Sequence, residues 1–242
     1  MAVIGIDLGT TNSLAGVWQD GKVVLIPNAF GEYLTPSVVS IGKNQEVFVG
    51  SVAKEMLATQ PYDTFREFKR NMGTNFLYGN GRKKYRAEEL SAFVLRRLKE
   101  DAEKFLGEEV TEAVISVPAY FDDNKRNATK NAGRLAGLKV ERLINEPSAV
   151  ALKHHTAEKG AESFIVFDFG GGTLDVSLVE AFDNVVEIQA VAGDNYLGGK
   201  DFNEIIAQDF YEQNQISEAY LTKNEQELSL IHISEPTRLR RI

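Results

Sequence analysis

At 242 residues, with 43% hydrophobic and 26% charged side chains, the chain can bury a substantial core as one large or two smaller domains. A formal net charge of −8 argues against a nucleic-acid surface, and the absence of cysteine excludes disulfides and thiolate metal sites. Residues 1–20 lack a basic region followed by a clean apolar run, and no stretch approaches the roughly 20 apolar residues of a membrane span. A cytoplasmic setting is expected, with neither nucleic acid nor membrane as a partner.

The chain opens on Ala2 to Ser13, where a buried-strand pattern (Val3, Ile4, Ile6) breaks into Gly9, Thr10, Thr11 and Asn12. A tight turn of such residues aims backbone N–H groups and hydroxyls at one point, as phosphate cradles do. A plain structural turn is the competing reading. Asp7, just before the turn, suits the water shell of Mg²⁺. Leu14 to Trp18 and Lys22 to Ile26 flank Gln19-Asp20-Gly21, a hairpin signal that places the loop in an antiparallel meander. No G-x-x-x-x-G-K-[ST] string occurs, so the loop is not a Walker-type P-loop. From Leu34 to Tyr85 the text suggests a subdomain inserted in the first half. Short strands (Ser37 to Ile41, Val47 to Val49) are followed by a helix near Val52 to Leu57, then by Phe65 to Arg70 and a polar stretch from Gly73 to Gly81. Taken alone, Lys69 and Arg70 read as two solvated charges.

Ala87 to Leu106 has the spacing of an amphipathic helix, with Leu90, Phe93, Val94, Leu98, Ala102 and Phe105 on one face and Gly107 as its stop. Ala113 to Val117 predicts a buried strand ending at Pro118. Asp122 or Asp123 can cap a helix running through Leu135 to Gly137. Lys139 to Ile144 predicts a strand entering Asn145-Glu146-Pro147, with Pro147 in the first turn of a helix to about Thr156. Glu146 then sits at a strand-to-helix corner, either facing a cleft or complementing the helix dipole. His154, His155 and His232 lack metal-ligand spacing and read as surface histidines.

Ala157 to Ala161 reads as the crossing between halves. Beyond it the opening pattern recurs: Ile165, Val166 and Phe167 run into Asp168, followed by Gly170, Gly171, Gly172 and Thr173. Aligned on Asp7 and Asp168, both copies read apolar, Asp, apolar, Gly, then a run of Gly or Thr, and such a repeat defines architecture. Two half-molecules would face each other across a cleft and clamp a polyphosphate with its metal. Glycines 170 to 172 permit positive φ and close backbone approach. A strand from Val185 to Val191, a loop from Gly193 to Gly199 and a helix from Asp201 to about Tyr211 follow.

Several strings together resemble the heat-shock protein 70 (DnaK-type) chaperone ATPases. They are Gly5 to Ser13, Phe68-Lys69-Arg70, Val117 to Phe121, Asn145-Glu146-Pro147, Phe167 to Thr173 with Asp175, and Gly198 to Phe202, all in family order over roughly residues 2–215. Asn28 to Glu32 and Phe68 to Gly73 are most similar to the HscC branch. The resemblance implies an α/β, actin-like (ribonuclease H-like) two-lobed ATPase fold closing on ATP or ADP with Mg²⁺. It implies that Asp7, Asp168, Asp175 and Glu146 hold the metal through water. Gly9, Thr10, Thr11, Asn12, Gly170, Gly171, Gly172, Thr173, Gly198 and Gly199 bind nucleotide, and Lys69, Glu146, Asp168, Thr173 and Asp7 serve hydrolysis. Pro118 and Arg126 match positions that couple nucleotide state to a partner domain.

The implied division is a first lobe over 1–157 (inserted subdomain about 34–86), a partial second lobe over 158–226, and a tail over 227–242 that stops resembling the family. The sequence is thus expected to be an N-terminal fragment, weakly active or inactive. Unfolded client polypeptides would bind through a domain not present in it, and J-domain and nucleotide-exchange partners would act on the whole protein. A small-molecule kinase and an actin-like filament subunit of the same superfamily are the alternatives.

Overall fold

The computed structural model describes residues 2–79, 83–154, 160–182, 185–194 and 196–216. His155, His232, residues 157–159 of the expected crossing and the 227–242 tail lie outside the described residues, as does the side chain of His154.

Alternation of apolar residues builds the first sheet. Strands β1 (Ala2–Leu8), β2 (Asn12–Gln19) and β3 (Lys22–Ile26) form an antiparallel meander, its second turn made by Asp20 and Gly21 at φ 51° and 75°. Positive φ at both central residues is what a tight hairpin matching strand twist requires. On its other side β1 pairs in parallel with β8 (Val110–Val117), which pairs in parallel with β9 (Lys139–Asn145). The order is β3-β2-β1-β8-β9, with the two-residue β4 (Thr35–Pro36) on β2.

One face of this sheet is core. Ile4, Ile6, Leu8, Ala113, Ile115 and Val117 meet Leu90, Val94, Leu95 and Leu98 of α2 (Ala87–Leu106) and Ala128 and Ala132 of α3 (Asp123–Leu135). Burying each larger side chain stabilises the fold by about 1.5–3 kcal/mol. The Arg86 N–H donates to Glu89 Oε2 at the start of α2, and Gly107 ends it at φ 70°. Phe105, expected on the buried face, is exposed. Asp122 is the cap of α3, accepting the Lys125 N–H at 2.9 Å.

The other sheet face is open, so of the buried-strand pattern Val3, Ile4 and Ile6 only Ile4 and Ile6 are buried. Val3 is 51% exposed, and Val3, Gly5 and Asp7 share the side that lines a cleft.

Residues 38–66 build a small three-stranded sheet, β6-β5-β7 (Val47–Val49, Val38–Ile41, Thr64–Arg66), with α1 (Ser51–Thr59) packed on it and a 3₁₀ turn, Phe68–Asn71, beyond. After α4 (Glu146–His154) the chain repeats its opening move. Strands β10 (Glu162–Phe169), β11 (Leu174–Phe182) and β12 (Val185–Asp194) form a second antiparallel meander, followed by α5 (Gly199–Gln213). Ile165 and Phe167 of β10 are exposed.

Candidate functional site

Register shows that the sequence repeat is a structural one. In the first meander Leu8 pairs with Ser13 and Asp7 with Leu14, so the turn is Gly9 to Asn12. In the second Phe169 pairs with Leu174 and Asp168 with Asp175, so the turn is Gly170 to Thr173. Each aspartate thus stands two residues before its loop, at the same register.

The loops are held differently. Ser37 supports the first: its N–H donates to the Thr11 carbonyl at 2.8 Å, its hydroxyl to the Gly9 carbonyl at 2.8 Å, and it lies 2.9 Å from the buried Ser13 hydroxyl. The second is closed by the Gly170 N–H donating to Thr173 O at 2.9 Å. It rests on the start of α5, where Gly199 and Lys200 donate their N–H groups to the carbonyls of Gly170 and Gly171 at 3.1 and 3.0 Å. Gly170, Gly171 and Gly172 do not adopt the positive φ that the sequence reading allowed them. Close approach is what requires glycine here. A Cβ on Gly171 would strike the Thr11 hydroxyl, one on Gly172 would lie 2.6 Å from Thr10 Cγ2, and one on Gly198 would overlap Gly172. The two loops therefore abut directly.

Beside them lies Lys69, in the 3₁₀ turn and buried rather than solvated. Its Nζ donates to Glu146 Oε1 at 3.0 Å, with side-chain exposures of 10% and 18%. Glu146 is the first residue of α4, so it occupies the helix start and the cleft wall together. Burial raises its carboxyl above the ordinary range, and the charges of Asp7 and Asp168 add to this against the pull of Lys69. Asp175 is pushed up to about 6, first by burial and then by Glu146 and Asp168, with Thr173 opposing. Asp7 accepts the Ser116 hydroxyl at 3.0 Å from the neighbouring strand.

The cleft encloses about 720 Å³. Its wall carries Asp7, Gly9, Thr10, Thr11, Asn12, Lys69, Glu146, Asp168, Gly170, Gly171 and Thr173, together with the open face of the first sheet. Gly172, Gly198, Gly199 and Asp175 do not line it. Gly172, within the second loop, is packed against Thr10 and Gly198, Gly198 and Gly199 lie in that loop's support, and Asp175 on β11 pairs with Asp168 on β10.

Four side chains that sequence reasoning did not single out complete the site: Ser37, Ser116, Tyr120 and Asp201. Ser116 follows from the β1–β8 register once that pairing is known. Ser37, 28 residues from Gly9, leaves no local signal. Burial together with the Asp175 charge raises the Tyr120 phenol far above the usual value. Arg126 is half-buried: it donates to Phe121 O at 2.8 Å and to Asn145 Oδ1 at 2.7 Å, tying the Pro118 turn to the residue before Glu146.

The acid groups fit a hydrated divalent cation. Asp168 and Asp175 stand directly opposite one another, an arrangement that like charges disfavour without a cation. Asp175 Oδ1 is also buried with no hydrogen-bond partner. Among the described residues no three His, Asp or Glu side chains converge to ligate one ion directly, so the fit is to an ion held through its waters. No helix among the described residues is long and apolar enough to cross a membrane.

The family model described as Hsp70 protein matches residues 3–80 and 78–235. Its match spans both meanders, the inserted sheet, the Lys69–Glu146 pair and α5. With an actin-like two-lobed α/β fold and the nucleotide-binding region of a chaperone, the chain belongs to the Hsp70 family.

Proposed function

We propose that the chain binds Mg-ATP with its phosphates between the two loops and hydrolyses it to ADP and phosphate. The observation that carries this is the pair of equally registered loops abutting at Thr11 and Gly171, with Lys69 and Glu146 beside them. Gly9 to Asn12 and Gly170 to Thr173 hold phosphate oxygens, with Gly198 and Gly199 acting through the second loop. Asp7, Asp168, Asp175 and Glu146 hold the metal's waters, and a bound magnesium ion would neutralise phosphate charge. Lys69, fixed by Glu146, orients the attacking water and offsets charge developing on the transferring phosphoryl group. Such catalysis is positioning plus electrostatics, with little covalent work for the protein.

The finer assignments follow from the same reading. Residues 1–157 act as the first lobe, with 34–86 as its insertion, and 158–226 belong to the second, although the family match runs on to residue 235. The HscC branch fits Asn28 to Glu32 and Phe68 to Gly73. In the cell the cycle would drive binding and release of unfolded polypeptides in the cytoplasm, with a J-domain protein and an exchange factor as partners. Purified chain given Mg-ATP under single-turnover conditions tests the reading. ADP and free phosphate are expected. A phosphorylated small molecule would point instead to a kinase, and ATP-dependent sedimentation to a filament protein.

A further inference from the structure

Away from the cleft, the inserted segment also meets the start of α5. Glu67, immediately before the 3₁₀ turn, has a left-handed backbone (φ 59°, ψ 19°), a conformation that glutamate seldom adopts and that persists only where the surroundings impose it. Its carboxylate accepts Lys200 Nζ at 2.8 Å. Three residues on, Arg70 Nη2 reaches Asp201 Oδ2 at 2.8 Å and the Gly172 carbonyl at 2.6 Å, while its Nε reaches the same carbonyl at 3.0 Å. Acid then base on one segment thus meets base then acid on the other. The pairs are largely enclosed, with side-chain exposures of 17% for Glu67, 30% for Lys200, 10% for Arg70 and 24% for Asp201.

What they grip matters to the second loop. Asp201 also accepts the Gly198 N–H at 2.7 Å, and the next two N–H groups of α5 hold Gly170 and Gly171. A displacement of the first turn of α5 therefore drags the loop with it. The proposed hydrolysis gives no task to Glu67 or Lys200.

We propose that Glu67–Lys200 and Arg70–Asp201 form an ionic clasp between the inserted segment and the start of α5. The clasp keeps the second loop against the first and sets how fast nucleotide leaves. The release part rests on the nucleotide reading above. Glu67 and Lys200 are positioning residues, acting through α5.

A double-mutant cycle tests it, with Glu67→Gln, Lys200→Gln and the double variant in the full chain. Glu67 also pairs with Arg66, and Lys200 with Glu204, and the cycle isolates the coupling from both. The probe is a fluorescent ADP analogue with Mg²⁺, and its release rate is the readout. Each single variant is expected to speed release about threefold, the scale of a partly enclosed ion pair, and the double variant no more than either single. High salt should shrink the wild-type advantage. Singles indistinguishable from wild type, or a double whose effect is the product of the singles, would overturn the clasp. Amide exchange at residues 170–173 in nucleotide-free protein follows the same cycle. If the wild type takes up no nucleotide, the nucleotide reading fails, and this second readout still decides the clasp.

Discussion

Replacing Lys69 by Ala separates what the pair does for the fold from what it does for the reaction. The substitution removes one preorganised charge beside the loops, an effect worth roughly 10²–10³ in hydrolysis rate. It also strands Glu146, whose side chain is only 18% exposed. Breaking an enclosed pair costs up to about 3–5 kcal/mol. Glu146 is already raised toward its protonated form by burial, so it can shed its charge and bring the cost to the low end of that range. At about 2–4 °C per kcal/mol for a chain of this size, melting should fall by about 6–12 °C. Adding Glu146→Gln to Lys69→Ala removes the stranded carboxylate and should recover most of that loss. Hydrolysis should not return. Single-turnover hydrolysis with protein in excess, thermal melts and nucleotide titration together decide the matter, with nucleotide affinity expected to survive because backbone loops carry it. Hydrolysis within a few-fold of wild type in Lys69→Ala, or recovered together with stability in the double variant, would refute the reasoning.

Three further perturbations test other parts of the account. Gly171→Ala places a methyl against the Thr11 hydroxyl and should force the loops apart, lowering Mg-ADP affinity at least about tenfold, about 1.4 kcal/mol, by equilibrium titration. Pairing it with Thr11→Ala should regain part of the loss. Because Asp175 is raised to about 6 in the fold against 3.8 unfolded, the folded state holds more protons between these values. Metal-free wild type should thus lose stability as pH rises through that window and level off above it, whereas Asp175→Asn should lack this slope in denaturant melts. Ile115→Ala, at a fully buried position between the sheet and α3, should cost about 2–5 kcal/mol in the same melts with the ligand affinity of the surviving fold unchanged.

Local chemistry carried much of the fold into the sequence. The helical spacing of Leu90, Val94, Leu98 and Ala102 and the stop at Gly107 gave α2 its bounds, and Asp20-Gly21 announced its hairpin, because these signals act within one or two turns of chain. The paired loops were legible because the repeat carries its aspartate, glycines and threonine together, and the common register follows from equal spacing. What sequence could not supply was decided by the third dimension. Val3, Ile4 and Ile6 read together as a buried strand, yet whether Val3 meets a helix or a cleft depends on what packs over each sheet face. Likewise the glycines at 171 and 172 are required by Thr11 and Thr10, some 160 residues away, rather than by their own φ. Lys69 and Arg70 look like solvated charges until their partners, Glu146 and Asp201, come from distant segments.

The most direct measurement is amide exchange of the purified chain with and without Mg-ADP, resolved at residues 9–12 and 170–173. The account predicts slower exchange in both loops together, and only when magnesium and nucleotide are both present. Protection confined to one loop, or appearing elsewhere while both loops exchange as before, would contradict a phosphate held between them.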